Sequence, residues 1–326
     1  MAYDCPVDRL EHELRLARLD DERYVEQLYR LVLRREPDPQ GGADAALRLR
    51  RGLVSQATLL AELVASDEFV RVRALDDAVA GAKADRLAGE RPRALTAPAS
   101  LDERAIEIRW LLGRYRGERR VLDTGSAHAE PSYLSSLMQL GAAELTAVDL
   151  APCDVPELRS VEADLRALPF ADDAFELAFC LSTLEHVGAD NSRYGAAGEG
   201  PDPEGPEKAL AELGRVLKRG GRLLLTVPSG AHEDHGWFLQ LEPDEWLALF
   251  ERSGFHVVER ELYLRAPTGW RSAASAETLE VSYGDIGPGA SAVLCAELRA
   301  GAGPTVRERL FGLRRRLRFR NQRQSS

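Results

Sequence analysis

The sequence predicts an α/β protein: a doubly wound sheet preceded by a small all-α domain. Two strands and the helix between them carry that expectation. Val121-Leu122-Asp123-Thr124-Gly125-Ser126 reads as a short apolar strand that stops at a glycine, and Leu145-Thr146-Ala147-Val148-Asp149 as a second strand ending in a carboxylate. Between them Tyr133, Leu134, Leu137 and Met138 recur at the spacing of one helical face. Strand, glycine turn, helix, strand and acid form the opening unit of a nucleotide-binding sheet. The glycine lets backbone approach a ligand closely, and the acid can accept hydrogen bonds from a ribose diol.

From the N-terminus, residues 1–92 carry no strand-like run. Tyr24, Val25, Leu28, Tyr29, Val32 and Leu33 predict a helix, which Asp38-Pro39-Gln40-Gly41-Gly42 is expected to break. Ala45, Ala46 and Leu49 mark a second helix ended by Gly52. Ser55 is the expected N-cap of a third, carrying Leu59, Leu60, Leu63 and Val64, and Ser66-Asp67-Glu68-Phe69 opens the next. The segment 28–41 followed by Ser66-Asp67-Glu68-Phe69 resembles a bacterial helical domain of unknown function, itself similar to phycobilisome linker repeats. That resemblance implies docking to a protein partner and no chemistry.

Residues 88–100, rich in Ala, Pro and Arg, read as the linker to an α/β domain expected over 93–298. Ser100-Leu101-Asp102-Glu103 is the pattern of a capping box, opening a helix with Ala105, Ile108, Leu111 and Leu112 toward the sheet. After Asp149, residues 161–164 form a third strand ending in Asp164. Residues 177–181 form a fourth, with Ser182-Thr183-Leu184-Glu185-His186 at its carboxyl end. The polar loop 188–207 has the composition of a lid beside a ligand crevice. Leu210, Leu213, Val216 and Leu217 make a helical face, residues 222–228 a buried strand, and residues 242–250 a helix stopped by Gly254. Residues 255–259 and 291–296 complete seven strands, with one antiparallel edge expected.

The chain of 326 residues has ordinary hydrophobic and charged fractions, 44% and 29%, and room for one large and one small domain. No apolar run is long enough for a membrane span. Met1-Ala2-Tyr3-Asp4-Cys5-Pro6 has no basic start or apolar core, so no secretory leader is expected. Cys5, Cys153, Cys180 and Cys295 are scattered, which suits a reducing cytoplasm. Within 299–326, the last 21 residues hold eight arginines against Glu308, a net +7 that leaves −17 on the rest of a chain of charge −10. An acidic body argues against nucleic-acid binding. Val306, Leu310, Leu313 and Leu317 share a helical stripe among those arginines, the pattern of an interfacial helix for an anionic membrane surface.

The glycine turn narrows the ligand. Gly125-Ser126-Ala127-His128-Ala129-Glu130 lacks the three spaced glycines that seat a pyrophosphate, which disfavours a nicotinamide-dependent oxidoreductase and favours a ligand without phosphates. Asp164 offers a second polar anchor. With these, Leu168-Pro169-Phe170, Ser182-Thr183-Leu184-Glu185-His186, Arg215-Val216-Leu217-Lys218-Arg219-Gly220-Gly221 and Leu224-Leu225-Thr226-Val227-Pro228 follow in order. The set resembles the class I S-adenosylmethionine-dependent methyltransferases. His235-Gly236-Trp237-Phe238 followed by Gln240 is similar to a subgroup found near bacterial polysaccharide genes. The usual GxGxG is altered here to Gly125-Ser126-Ala127-His128-Ala129.

The resemblance implies S-adenosylmethionine as cofactor. Asp123, Gly125 and Ser126 would line its methionine and ribose end, Asp149 and Leu150 the ribose, Asp164 and Leu165 the adenine, with Ser182 near the sulfonium. A hydroxyl acceptor needs its proton removed, for which His186 and then His235 are the candidates. His232, Asp234 and His235 are spaced too weakly to predict a metal. Tyr194 and Trp237 could stack on a sugar. The expected activity is O-methylation of a sugar, glycan intermediate or small metabolite; the alternative is a catalytically silent, cofactor-binding scaffold in a glycan-assembly complex.

Overall fold

The computed structural model describes residues 19–153, 155–195 and 201–301. The chain divides into two compact units, Met1–Ala78 and Val79–Ser326. In the first, helix α1 (Asp21–Leu33) starts where the Asp20 carboxylate accepts the Arg23 amide at 3.0 Å. Its Tyr24, Val25, Leu28 and Val32 are buried against Ala45 and Ala46 of α2 (Pro39–Arg50) and Leu59, Leu60 and Leu63 of α3 (Gln56–Val64). Ser55 caps α3 as expected, accepting the Thr58 amide at 3.0 Å. The Asp38-Pro39-Gln40-Gly41-Gly42 segment is not a simple break. Asp38 caps α2, accepting the Gly41 amide at 2.7 Å, and Pro39 is the first helical residue, where its missing N–H costs nothing. Helix α4 (Asp67–Ala88) follows.

The second unit is built on one sheet in the order β3-β2-β1-β4-β5-β10-β8-β9. Strands β1 (Arg120–Thr124), β2 (Glu144–Asp149), β3 (Arg159–Glu162), β4 (Phe175–Leu181) and β5 (Leu217–Pro228) are parallel. β6 (Glu233–Asp234) and β7 (Leu239–Gln240) form a separate small hairpin. β8 (Phe255–Ala266), β9 (Gly269–Ser272) and β10 (Ala292–Ala300) complete the sheet. The seven expected strands are present, with two differences. Two strands run reversed: β10 lies inside the sheet, antiparallel to both β5 and β8, and β9 is antiparallel to β8. The edge is the short β9, an eighth strand that the sequence reading passed over. Trp270 on β9 is fully buried, its indole N–H donating to the Leu101 carbonyl at 2.9 Å.

Helices α5 (Arg104–Leu112), α6 (Pro131–Met138), α7 (Gly205–Val216) and α8 (Pro243–Arg252) accompany the sheet. Leu210, Leu213 and Val216 of α7 and Trp246 and Phe250 of α8 join Leu122, Ala178, Leu223 and Leu225 in its main core. The capping box expected at the start of α5 does not form. Glu103, which should close it, instead accepts the Ala290 amide at 3.0 Å, and the helix begins at Arg104 without a side-chain cap. The switch in direction from β1 leaves a crevice at the carboxyl ends of β1, β2 and β4. No helix among the described residues is long and apolar enough to cross a membrane. The amphipathic stripe expected from Val306 lies outside the described residues.

Candidate active site

β1 ends in a tight turn at Gly125, whose φ of +81° is open mainly to glycine. A Cβ there would sit 2.1 Å from Thr183 Oγ1, so the strand tips of β1 and β4 meet only because the side chain is absent. The Gly125 amide donates to the Val148 carbonyl at 3.0 Å, tying the turn to β2. At the tip of β2 the Asp149 carboxylate accepts amides from Ala127 at 2.9 Å and Ala151 at 3.2 Å. One bond per oxygen fixes its orientation and leaves each oxygen a further lone pair.

The cavity at these tips is lined by Gly125, Asp149, Leu150, Asp164, Leu165 and Ser182 among the expected cofactor residues, and by His186. Asp123 and Ser126 do not line it. Both are fully buried behind the turn, where the Tyr133 hydroxyl donates to Asp123 at 2.6 Å. Burial pushes the Asp123 carboxyl up to about 7. Asp123 Oδ2 and Ser126 Oγ have no hydrogen-bond partner. Asp164 is held by Arg166 at 2.6 Å, which also reaches Asp202 at 3.0 Å. Burial raises the Asp164 pKa, but Arg166 more than offsets that and the net shift is downward.

His186 sits in a short 3-10 turn, Leu184–His186, directly after β4. Its Nδ1–H donates to the Trp237 carbonyl at 2.9 Å, so the neutral ring carries its lone pair on Nε2. Burial pushes its pKa down to about 4. His235 is not brought to the cavity. It is exposed on the β6–β7 hairpin, stacked on Phe238 with centroids 4.4 Å apart and paired with Glu233 at 3.0 Å. His232 pairs with Glu245 instead. Tyr194 lines the cavity, whereas Trp237 lies beneath His186.

Two residues, Arg104 and Glu107, were missed by sequence reasoning. Arg104 lines the cavity and forms an ion pair with Glu107, which is fully buried and accepts the Ser182 hydroxyl at 2.6 Å. Beside them Glu185 is buried with Oε2 unpartnered, and burial pushes its carboxyl up to about 8. The Asp-Glu-Arg-x-x-Glu pattern of residues 102–107 was the available signal, but it reads as solvated helix-start charge.

Residues 122–225 match the family described as Methyltransferase domain, and residues 9–72 match Domain of unknown function (DUF4214). The chain is 28% identical over 182 residues to a ubiquinone biosynthesis O-methyltransferase of Ruegeria sp. (strain TM1040), covering 50% of this chain and 71% of that one. Among solved structures it is similar to the 1,6-didemethyltoxoflavin-N1-methyltransferase of Burkholderia thailandensis, bound to 1,6-didemethyltoxoflavin and S-adenosylhomocysteine. That match has 17% identity, a TM-score of 0.37, and 56% and 72% of the two chains covered. An S-adenosylmethionine-dependent methyltransferase of Mesorhizobium loti matches at 15% identity, a TM-score of 0.39, and 59% and 97% coverage.

Proposed function

As the chain carries a class I S-adenosylmethionine-dependent methyltransferase domain, we propose that it methylates a hydroxyl oxygen of a sugar, a glycan intermediate or a related small metabolite. The observation that supports the site is the lining of one cavity by Gly125, Asp149, Asp164, Ser182 and His186, from the ends of several strands. The residues suit the cofactor. Asp149 has lone pairs left for a ribose diol, and Leu150, Ala163 and Leu165 offer apolar walls to an adenine. The name of the Ruegeria relative supports an oxygen acceptor.

When bound, S-adenosylmethionine supplies a methyl group already activated on a sulfonium, so the protein's work is alignment and exclusion of water. Asp149 would hold the ribose, and Asp164, fixed by Arg166, would offer its carboxylate to the adenine. Ser182, locked by Glu107, sets the floor under the reacting end. His186 offers Nε2 to the acceptor hydroxyl as a hydrogen-bond acceptor; with its pKa near 4 it orients that hydroxyl better than it deprotonates it. That low basicity also favours the second reading, a silent scaffold that binds cofactor. The N-terminal helical unit serves a protein partner in this proposal, and the enzyme works in the cytoplasm.

Calorimetry with S-adenosylmethionine, S-adenosylhomocysteine and NAD tests the cofactor. Transfer of a labelled methyl to a metabolite extract tests turnover. Binding with no transfer supports the scaffold, and NAD binding without the adenosyl ligands removes both readings.

A further inference from the structure

The cavity wall beyond Ser182 is made of rings. His186 and Tyr194 line it with centroids 5.4 Å apart, and His186 stacks on Trp237 at 5.5 Å. The guanidinium of Arg193, in the turn Ser192–Tyr194, lies over Trp237 at 3.8 Å from the ring centroid. Among the described residues no carboxylate or carbonyl accepts from it. The nearest acid in sequence, Asp190, is turned to the Ser192 amide at 2.9 Å. Stacking fixes the plane of the fork and leaves its N–H donors pointing outward within that plane.

A second guanidinium faces the same imidazole. Arg104 lines the cavity and gives one nitrogen to Glu107. After burial, the charges of Arg104 and Arg193 both push His186 down. The acids around Arg104 offset this only in part. Glu107 is its ion-pair partner, but burial pushes Glu185 up to about 8 and Glu103 to about 7, so neither is a full negative charge at neutral pH. At the other end of the cavity Asp164 is neutralised by Arg166. Arg104 and Arg193 thus set two positive charges beside His186 against the one carboxylate of Glu107.

We propose that this end of the cavity is the acceptor subsite for a sugar ring bearing an oxyanion, carboxylate or phosphate, with Arg193, which stands just outside the cavity lining beside Tyr194, reading the oxyanion while Tyr194 and His186 carry the ring. The inference rests on the methyltransferase reading and adds the class of acceptor. A planar fork held on an indole accepts two oxygens of a carboxylate or phosphate in bidentate fashion, and the apolar face of a sugar packs on aromatic rings.

The test uses the full chain saturated with S-adenosylhomocysteine and titrates glucuronate, glucose 6-phosphate and glucose in a calorimeter. The charged sugars should bind about tenfold or more tighter than glucose, a gap that narrows with salt. Arg193→Ala should bring them to the level of glucose, and Arg193→Lys should recover only part. Arg193 is exposed, so neither variant threatens the fold. Preference for glucuronate over glucose 6-phosphate identifies a carboxylate, and the reverse a phosphate; either supports the subsite. Equal affinity for glucose, no binding of either anion, or no response to Arg193→Ala overturns it. So does a tenfold loss of S-adenosylhomocysteine affinity in Arg193→Ala, which would give Arg193 to the cofactor's own carboxylate. Failure of the methyltransferase reading shows separately, as absent S-adenosylhomocysteine binding in the unaltered protein.

Discussion

Glu107 and Ser182, 75 residues apart in sequence, share a 2.6 Å hydrogen bond beneath the cavity. Ser182 has φ +40°, a conformation that L-residues adopt at a cost of about 1–3 kcal/mol. The bond to Glu107 and the amide bond from Ser182 to the Thr226 carbonyl at 3.0 Å hold it there. The other oxygen of Glu107 pairs with Arg104, so one fully buried carboxylate fixes two residues that line the cavity.

Glu107→Ala should therefore destabilise the second unit by about 3–5 kcal/mol, because it strands a partly buried guanidinium and leaves the Ser182 hydroxyl without its acceptor. Glu107→Gln keeps an acceptor for Ser182 and should lose less. Urea unfolding measures both. A loss below about 1 kcal/mol in Glu107→Ala would show the ion pair to be incidental.

Asp149→Ala should weaken S-adenosylhomocysteine binding by about 10- to 100-fold, the worth of one or two hydrogen bonds to a charged group. Asp149 also accepts the Ala127 and Ala151 amides, so the turn itself should loosen. Asp149→Asn separates the effects, since its amide oxygen can still accept one backbone bond. Calorimetric titration reads the affinity, and an unchanged value in Asp149→Ala would remove this residue from the cofactor site.

The strand tips were legible in the sequence because their signals are local. Residues 121–126 and 145–149 are apolar runs ended by a glycine and an acid, and the structure sets Gly125, Asp149, Asp164 and Ser182 around one cavity. What escaped depends on partners far along the chain. Glu107 has the spacing of a surface helix acid but is buried, with the Ser182 hydroxyl that follows β4 donating to it. His186 and His235 look alike as loop histidines, yet the Trp237 carbonyl holds the first at the cavity while Phe238 and Glu233 hold the second outside. Met138, expected on the buried face of α6, lies in its last turn and is 39% exposed. β9 is four residues long and gains its order from pairing with β8.

The pH–rate profile should show no acid limb near pH 6.5. Burial pushes His186 down to about 4, so the ring stays neutral across the physiological range. The unfolded chain takes up this proton near pH 6.5 and the folded one only near 4. The stability tied to His186 is thus complete above 6.5 and falls as pH drops toward 4. His186→Asn should flatten that part of the acid-denaturation curve. A kcat limb near 6.5 that His186→Asn abolishes would contradict the buried, neutral imidazole.

Glu185 carries the opposite dependence. Burial pushes its folded pKa up to about 8, whereas the unfolded chain releases the proton near the ordinary glutamate value. Below that value the group costs nothing through linkage; as pH rises from there to about 8 the folded state loses stability, because the unfolded state binds fewer protons, and above 8 the loss is complete. Glu185→Gln keeps the shape and removes the titration. It should raise stability at pH 8 by about 4 kcal/mol and change little at pH 4. Urea midpoints at the two pH values measure this. Equal gains at both would mean that the benefit comes from satisfying Oε2, which has no partner, and that the carboxyl does not titrate between the two states.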